Sequence, residues 1–432
     1  MRDQSAQIDQ ATVPDPKSKN KRRRRGRRRK KAHVAGRPVA EVAAPALDLS
    51  SAPQPDVVFP IEAKIEAEKA QAQQPKRTRY FNARTPHRST LPAYAALDLG
   101  TNNCRLLVAV PGREGQFRVV DAFSRIVRLG EGLGHANRLS DQAMDRSIEA
   151  LAMCKAKLEN RPIRRMRLIA TEACRAAENG GLFLDRVKRE VGLDLEIVDR
   201  ETEAKLAVAG CSSLVERNIK ATVVFDIGGG SSEIALLDLT RRCKKMPDNI
   251  VAWTSLPLGV VTLAEQFGGL KVTPKVFDDM KAAASREIEK FERAHLLDEH
   301  IGTNCFTLLG TSGTVTTLAG IHLELEKYDR RRVDGLWLKN ADVDAINEKL
   351  LGWSFEERVA NPCIGPDRAD LVLAGCAILE AIRERWPSNA LRVADRGLRE
   401  GILTELMATD RAWDNQKHGH PRRGVRHPNR RH

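Results

Sequence analysis

Two short stretches constrain this chain more than any other: LDLGTNNCRLLV (Leu97–Val108) and FDIGGGSSEIAL (Phe225–Leu236). Each enters as an apolar strand, reaches a carboxylate, turns on glycine and small polar residues, and leaves as a second apolar strand. Asp98 matches Asp226 and Gly100 matches Gly228, 128 positions apart. Self-similarity at the spacing of a domain indicates a duplicated unit. One Asp-x-Gly turn alone is commonly no more than a hairpin. Two matched turns point to a shared purpose.

Glycine costs conformational entropy, so its use directly after a buried strand needs a reason. Bare backbone lets amide N–H groups converge on an oxyanion, and glycine also tolerates positive φ. Thr101, Asn102, Asn103, Ser231 and Ser232 add side-chain donors beside Gly100, Gly228, Gly229 and Gly230. A carboxylate is wrong for holding phosphate but right for holding Mg²⁺ or another divalent cation whose waters touch the phosphate. Asp98 and Asp226 are therefore the metal candidates. A third turn, GTSGT (Gly310, Thr311, Ser312, Gly313, Thr314), opens a helix and offers another anion site.

Around these turns strands alternate with helical patterns, which predicts an α/β fold. Ser140 reads as the N-cap of a helix over LSDQAMDRSIEALAMCKAKLEN, and a long helix is expected from about Thr273 to Leu297. The expected division is a first domain over 91–215 and a second over 216–410, with the substrate cleft between them. The flanks, 1–90 and 411–432, have little to bury and read as disordered basic tails.

The formal charge of +15 belongs to those tails. Residues 1–90 carry a net +12 and residues 411–432 a net +6, leaving −3 for the body. Lys17–Lys31 holds twelve basic residues in fifteen, an arm suited to RNA, DNA or polyphosphate. The eight cysteines show no CxxC spacing, which excludes a zinc ribbon or a redox pair of that type and suggests a reducing cytoplasm. No apolar run approaches a membrane span, so no membrane association is expected.

The motifs DLGTNNCRLLV, IATEACRAAENG, FDIGGGSSEIAL, SLPLGVVTLAEQF, GTSGTVTTLAG, RADLVLAGCAILEAI and VADRGLREGIL occur in the order seen in the exopolyphosphatase/guanosine-pentaphosphate phosphohydrolase (Ppx/GppA) family. The chain resembles the short form of that family over roughly residues 91–408. The resemblance implies two ribonuclease-H-like domains, as in actin-like ATPases, with the active site in the cleft. It implies hydrolysis of a terminal phosphoanhydride on polyphosphate or guanosine pentaphosphate. The 19 aromatic residues avoid the loop motifs, which favours polyphosphate because it has no base to recognise. The resemblance places the general base at Glu172, with Arg175 in the same motif and Glu201 and Glu203 in a second acidic motif. For Glu201 and Glu203 a solvated helix face is the competing reading. The chain departs from the family in having Asp199-Arg200 where Ser-Gly is usual, and in carrying Ser312 in the third turn. A regulator that binds polyanions without turnover is the alternative function class, and a homodimer is left open.

Overall fold

The computed structural model describes residues 92–113 and 115–414. The first sheet holds β1 (Ala93–Leu99), β2 (Asn103–Pro111), β3 (Phe117–Ile126), β4 (Ile163–Ala170) and β5 (Glu196–Ile197), in the order β3-β2-β1-β4-β5. The first three are antiparallel neighbours, while β4 and β5 run parallel to β1. The second sheet holds β6 (Ala221–Ile227), β7 (Ser232–Asp238), β8 (Ile250–Leu256), β9 (Phe306–Thr311), β10 (Trp337–Lys339) and β11 (Ala390–Ala394), in the order β10-β11-β9-β6-β7-β8. β6, β7 and β8 repeat the antiparallel trio, and β9 and β11 repeat the parallel pair. Only β10, an added antiparallel edge, breaks the match. The ribonuclease-H-like sheet thus occurs twice, as the repeated turns imply.

Strand alternation decides where the two aspartates point. In β1, Ala95, Leu97 and Leu99 pack with Leu151, Cys154 and Phe183 from the helices Asp141–Glu159 and Gly180–Val191. Tyr94 and Ala96 face the other way, against Leu206 of the helix Arg200–Cys211 and Ile402 and Met407 of the helix Leu398–Thr409. Asp98 shares the parity of Tyr94 and Ala96. In β6, Val224 shares the parity of Asp226 and packs with Val208 and Cys211 of that same helix Arg200–Cys211. Both aspartates therefore face a layer shared by the two sheets.

That layer is held at backbone contact. A Cβ on Gly210 would lie 2.1 Å from the Gly397 carbonyl oxygen, and one on Gly401 would lie 2.1 Å from the Leu206 carbonyl oxygen. Only glycine lets the two helices approach this closely. The last helix of the expected second segment thus returns to the first sheet, and Asp410 is clamped there by Arg164, Arg165 and the Tyr94 hydroxyl.

Two expectations change in detail. The helix expected to reach Leu297 ends at Glu289; Phe291, Ala294 and Leu297 then bury at a spacing of three, and the chain tightens into a 3₁₀ segment, Ala294–His300. The body continues past 410, because the Trp413 indole donates to the Gln116 carbonyl over 2.7 Å. The remaining tail residues, with the basic run Lys17–Lys31, lie outside the described residues. Ser140 caps its helix as expected, accepting from the Ala143 amide. Among the described residues no helix is long and apolar enough to cross a membrane.

Candidate active site

The two turns meet. A Cβ on Gly229 would lie 3.0 Å from Thr101 Cβ and 3.2 Å from the Asn102 amide nitrogen. One on Gly230 would lie 2.8 Å from Thr101 Oγ1 and 3.3 Å from Glu172 Cγ. None of Gly228, Gly229 and Gly230 adopts a left-handed φ. The glycines are there for close approach of two loops, not for positive φ. The amides of Thr101, Asn102, Gly229 and Gly230 donate to no protein group among the described residues, so a cluster of N–H donors is left for an anion.

The hairpin registers add a feature that the paired turns do not announce. Asp98 sits directly across from Arg105, and Asp226 directly across from Glu233. The same step along each duplicated hairpin therefore delivers an arginine in one sheet and a glutamate in the other. Glu233 is buried and accepts from the Ser231 and Ser255 hydroxyls at 2.8 and 2.9 Å. Burial, with the nearby Asp226, pushes its carboxyl up to about 7. Burial also raises Asp226, to about 6, with Asp98 contributing and Arg105 opposing. Asp98 is raised by burial against the pull of Arg105, and Glu203 is raised well above the usual range by burial and Glu233.

Glu172 begins a short helix, Glu172–Ala176, at the end of β4 and lines the pocket with both loops. Its Oε2 accepts from Arg175 Nε at 3.0 Å and Nη2 at 2.5 Å. Arg175 Nη1 also donates to Glu203 Oε2 at 3.1 Å and to the Val198 carbonyl at 2.6 Å. Glu172 Oε1 accepts from Arg200 Nη2 at 2.9 Å.

The carboxylate pocket opens onto a cavity of about 600 Å³ between the sheets, lined by Asp98, Arg105, Asp226, Ser312, Tyr328, Arg368, Asp395 and Arg399 among others. Arg105, Arg368 and Arg399 donate no side-chain hydrogen bond and form no ion pair among the described residues. Three such guanidinium groups facing one cavity call for an anion of several charges.

The third turn reaches the same place. Ser312 has φ 82°, a region where a side chain is strained, and its hydroxyl donates to the Ile227 carbonyl at 3.0 Å. It lines the cavity beside Gly313, while Thr311 hydrogen-bonds the Arg396 carbonyl. Several candidate side chains are already engaged within the protein. Ser232 is fully buried and donates to the Leu258 carbonyl, and the Ser231 hydroxyl is spent on Glu233. Gly310 is covered by Phe225 and Val315. Thr314 packs on Gly375 and lines a smaller pocket with Asn102, Asn103, Gly228 and Gly229. Glu201 is exposed and paired with Lys205. Gly100, Thr101, Asn102, Asn103, Glu203, Gly228, Gly229, Gly230 and Ser231 do line the carboxylate pocket.

Residues 108–410 match the sequence profile of the Ppx/GppA phosphatase family. The chain belongs to that family. It is 29% identical over 329 residues to exopolyphosphatase 2 of Mycobacterium tuberculosis, covering 73% of this chain and 99% of that protein. It is 29% identical over 335 residues to the guanosine-5'-triphosphate,3'-diphosphate pyrophosphatase of Photobacterium profundum, covering 75% of this chain but only 61% of that protein. A crystal structure of the Aquifex aeolicus Ppx/GppA family member superposes with a TM-score of 0.60 at 27% identity, covering 74% of this chain and 99% of that one.

Within this Ppx/GppA chain, Glu233, Arg105, Arg368 and Arg399 are the site residues that the sequence reading passed over. Glu233 and Arg105 had a signal: each is a charge seven residues after the turn's aspartate, followed directly by an apolar run. Arg368 and Arg399 had none, because nothing local separates them from surface arginines.

The fit of a divalent cation can be tested on these side chains. Among the described residues no three carboxylate, imidazole or thiol groups converge on one point as an all-protein cage. Mg²⁺ does not need one, since it keeps waters and takes one or two carboxylates with phosphate oxygens. Asp98 and Asp226 meet that requirement, and Asn102 Oδ1 and Asn103 Oδ1 are buried oxygens without a partner. The raised carboxyls are what a buried acidic group shows without a counter-ion. The donor set fits Mg²⁺.

Proposed function

We propose that the chain hydrolyses the terminal phosphoanhydride bond of inorganic polyphosphate, releasing orthophosphate. The observation that supports this most is the cavity bearing three unpartnered arginines, continuous with a floor of free amides and buried carboxylates. A chain of phosphates would lie along Arg105, Arg368 and Arg399, with its end phosphate on the amides of Thr101, Asn102, Gly229 and Gly230. Asp98 and Asp226 would hold Mg²⁺, which supplies charge neutralisation on the phosphate oxygens. Glu172 orients a water for in-line attack on the terminal phosphorus and accepts its proton. The bond from that phosphorus to the bridging oxygen breaks, and the departing chain carries the electron pair. Arg175 positions Glu172. The free amides and arginines stabilise charge that builds on the equatorial oxygens. Division at about residue 215, with the helix Leu398–Thr409 tying the second segment to the first, accounts for the cleft.

One observation favours guanosine pentaphosphate as a second substrate. Tyr328 lines the cavity and its hydroxyl donates to Asp395 at 2.8 Å. An aromatic face beside a carboxylate can stack on a base and accept its N–H groups. Phosphate release measured with each substrate separates the two readings; release from polyphosphate alone supports the first, and release from the nucleotide alone replaces it.

Two further outcomes are expected. Asp226 and Glu233 have carboxyls raised to about 6 and about 7 in the folded chain, above their unfolded values. Their protonated forms stabilise the metal-free protein at low pH, and that stability is lost as pH rises through about 7. Added Mg²⁺ should therefore raise the melting temperature more at pH 8 than at pH 5. Thermal unfolding with and without Mg²⁺ checks this; an equal shift at both pH values contradicts metal binding by these carboxyls.

The basic arm is proposed to hold the distal end of long polyphosphate. Removing residues 1–90 should leave turnover of tripolyphosphate intact, weaken binding of long chains and flatten the salt dependence of that binding. Equal salt slopes with and without the arm would contradict this.

A further inference from the structure

Glu172 is enclosed on both oxygens, but by arginines of different kinds. Arg175 is mostly buried and fixed by donations to Glu172, Glu203 and the Val198 carbonyl. Arg200 has a side chain 43% exposed, and its one ion pair among the described residues is to Glu172. It occupies the first turn of the helix Arg200–Cys211, whose N-cap is Asp199, accepting from the Thr202 amide at 2.7 Å. A cation there opposes the helix dipole, so Arg200 does not serve the helix. Glu172 also lies against Gly230 and Thr101, where the terminal phosphate is placed above. A terminal phosphate brings up to two negative charges beside a guanidinium held by one part-buried pair.

We propose that Arg200 is a substrate-triggered latch: it caps Glu172 in the free protein and transfers to the terminal phosphate when substrate binds. The transfer frees Glu172 Oε1 for the attacking water and adds a positive charge to the phosphate. It couples exposure of the base to the presence of a chain end. Arg175 stays behind to hold Oε2. This rests on the hydrolase reading, in which Glu172 is the base.

The test is a thermodynamic cycle on binding rather than turnover. A methylene-bridged triphosphate, which cannot be hydrolysed, is titrated calorimetrically with Mg²⁺ into the full-length wild type, Arg200→Gln, Glu172→Gln and the double variant. Arg200→Gln should bind at least ~10-fold more weakly, the usual scale for a lost hydrogen bond to a charged group. Glu172→Gln releases Arg200 in advance and also removes a negative charge. It should bind roughly 2-fold to 4-fold more tightly than wild type, and most of that gain should vanish when Arg200 is also changed. Arg200→Lys should recover part of the affinity, which a purely structural role at an exposed helix start would not produce. Equal gains from Glu172→Gln in both backgrounds, or unchanged affinity in Arg200→Gln, would overturn the latch. Wild-type phosphate release from tripolyphosphate is assayed alongside. Absence of release with the coupling present would overturn the hydrolase reading and leave Arg200 as a phosphate ligand; release with an additive cycle would overturn the latch alone.

Discussion

Glu172→Gln should lower kcat for phosphate release by about 10²–10⁴-fold while KM stays within a few-fold. The change keeps the side chain's size and one acceptor oxygen but removes the group that takes the proton. Glu172 lies at the edge of the carboxylate pocket and makes no contribution to the arginine-lined cavity, so substrate should still bind. A fall in kcat at similar KM is the pattern of an interaction that matters only in the transition state. The buried network around Arg175 loses one charge, so a melting curve must accompany the kinetics. Steady-state kinetics on tripolyphosphate across a Mg²⁺ series checks this. If the variant keeps most of its turnover, the base is Glu203 or Glu233, both buried beside it with raised carboxyls.

Gly229→Val should cost at least about 10²-fold in kcat/KM, the scale of a small misplacement of reacting groups. Even the first carbon of a side chain there meets Thr101 Cβ at 3.0 Å and the Asn102 amide at 3.2 Å. The two loops must separate to admit it, and their amides then no longer converge on one phosphate. Overpacking of this kind destabilises by about 1–3 kcal/mol, which the body should survive. Gly229→Ala should do less on both counts. The comparison is between thermal stability and kinetics of the two variants. A folded valine variant with kcat/KM within about 3-fold of wild type would mean that contact between the loops does not build the site.

The duplication was legible because it is written twice in local sequence: an apolar strand, an aspartate, a bare turn and a second strand. Period-two alternation also carries Asp98 and Asp226 to one face once the neighbouring strand residues are known to pack on shared helices. What the turns hid was the reason for their glycines. Gly229 and Gly230 are set by the approach of Thr101 from a hairpin 128 positions away, and no local pattern encodes that contact. The same limit applies to Ser231 and Ser232. Both look like phosphate donors in sequence, yet one hydroxyl serves Glu233 and the other a backbone carbonyl. Glu201 and Glu203 were indistinguishable on a helix start until packing buried one and left the other with Lys205. Ser312 carries a legible cost, since a residue with positive φ is where glycine would be expected. Arg368 and Arg399 converge only through tertiary structure.

Removal of phosphate from a chain end in the cleft between the two sheets is the proposed activity. It is tested most directly by following orthophosphate released by the purified wild-type protein from tripolyphosphate and from long-chain polyphosphate, with Mg²⁺ and with chelator. Mg²⁺-dependent release of single phosphates from chain ends is expected, abolished by chelator and slowed at least about 10²-fold in Glu172→Gln. A folded wild-type protein that binds polyphosphate in Mg²⁺ yet releases no phosphate from it or from guanosine pentaphosphate would contradict the account and favour a polyanion-binding regulator.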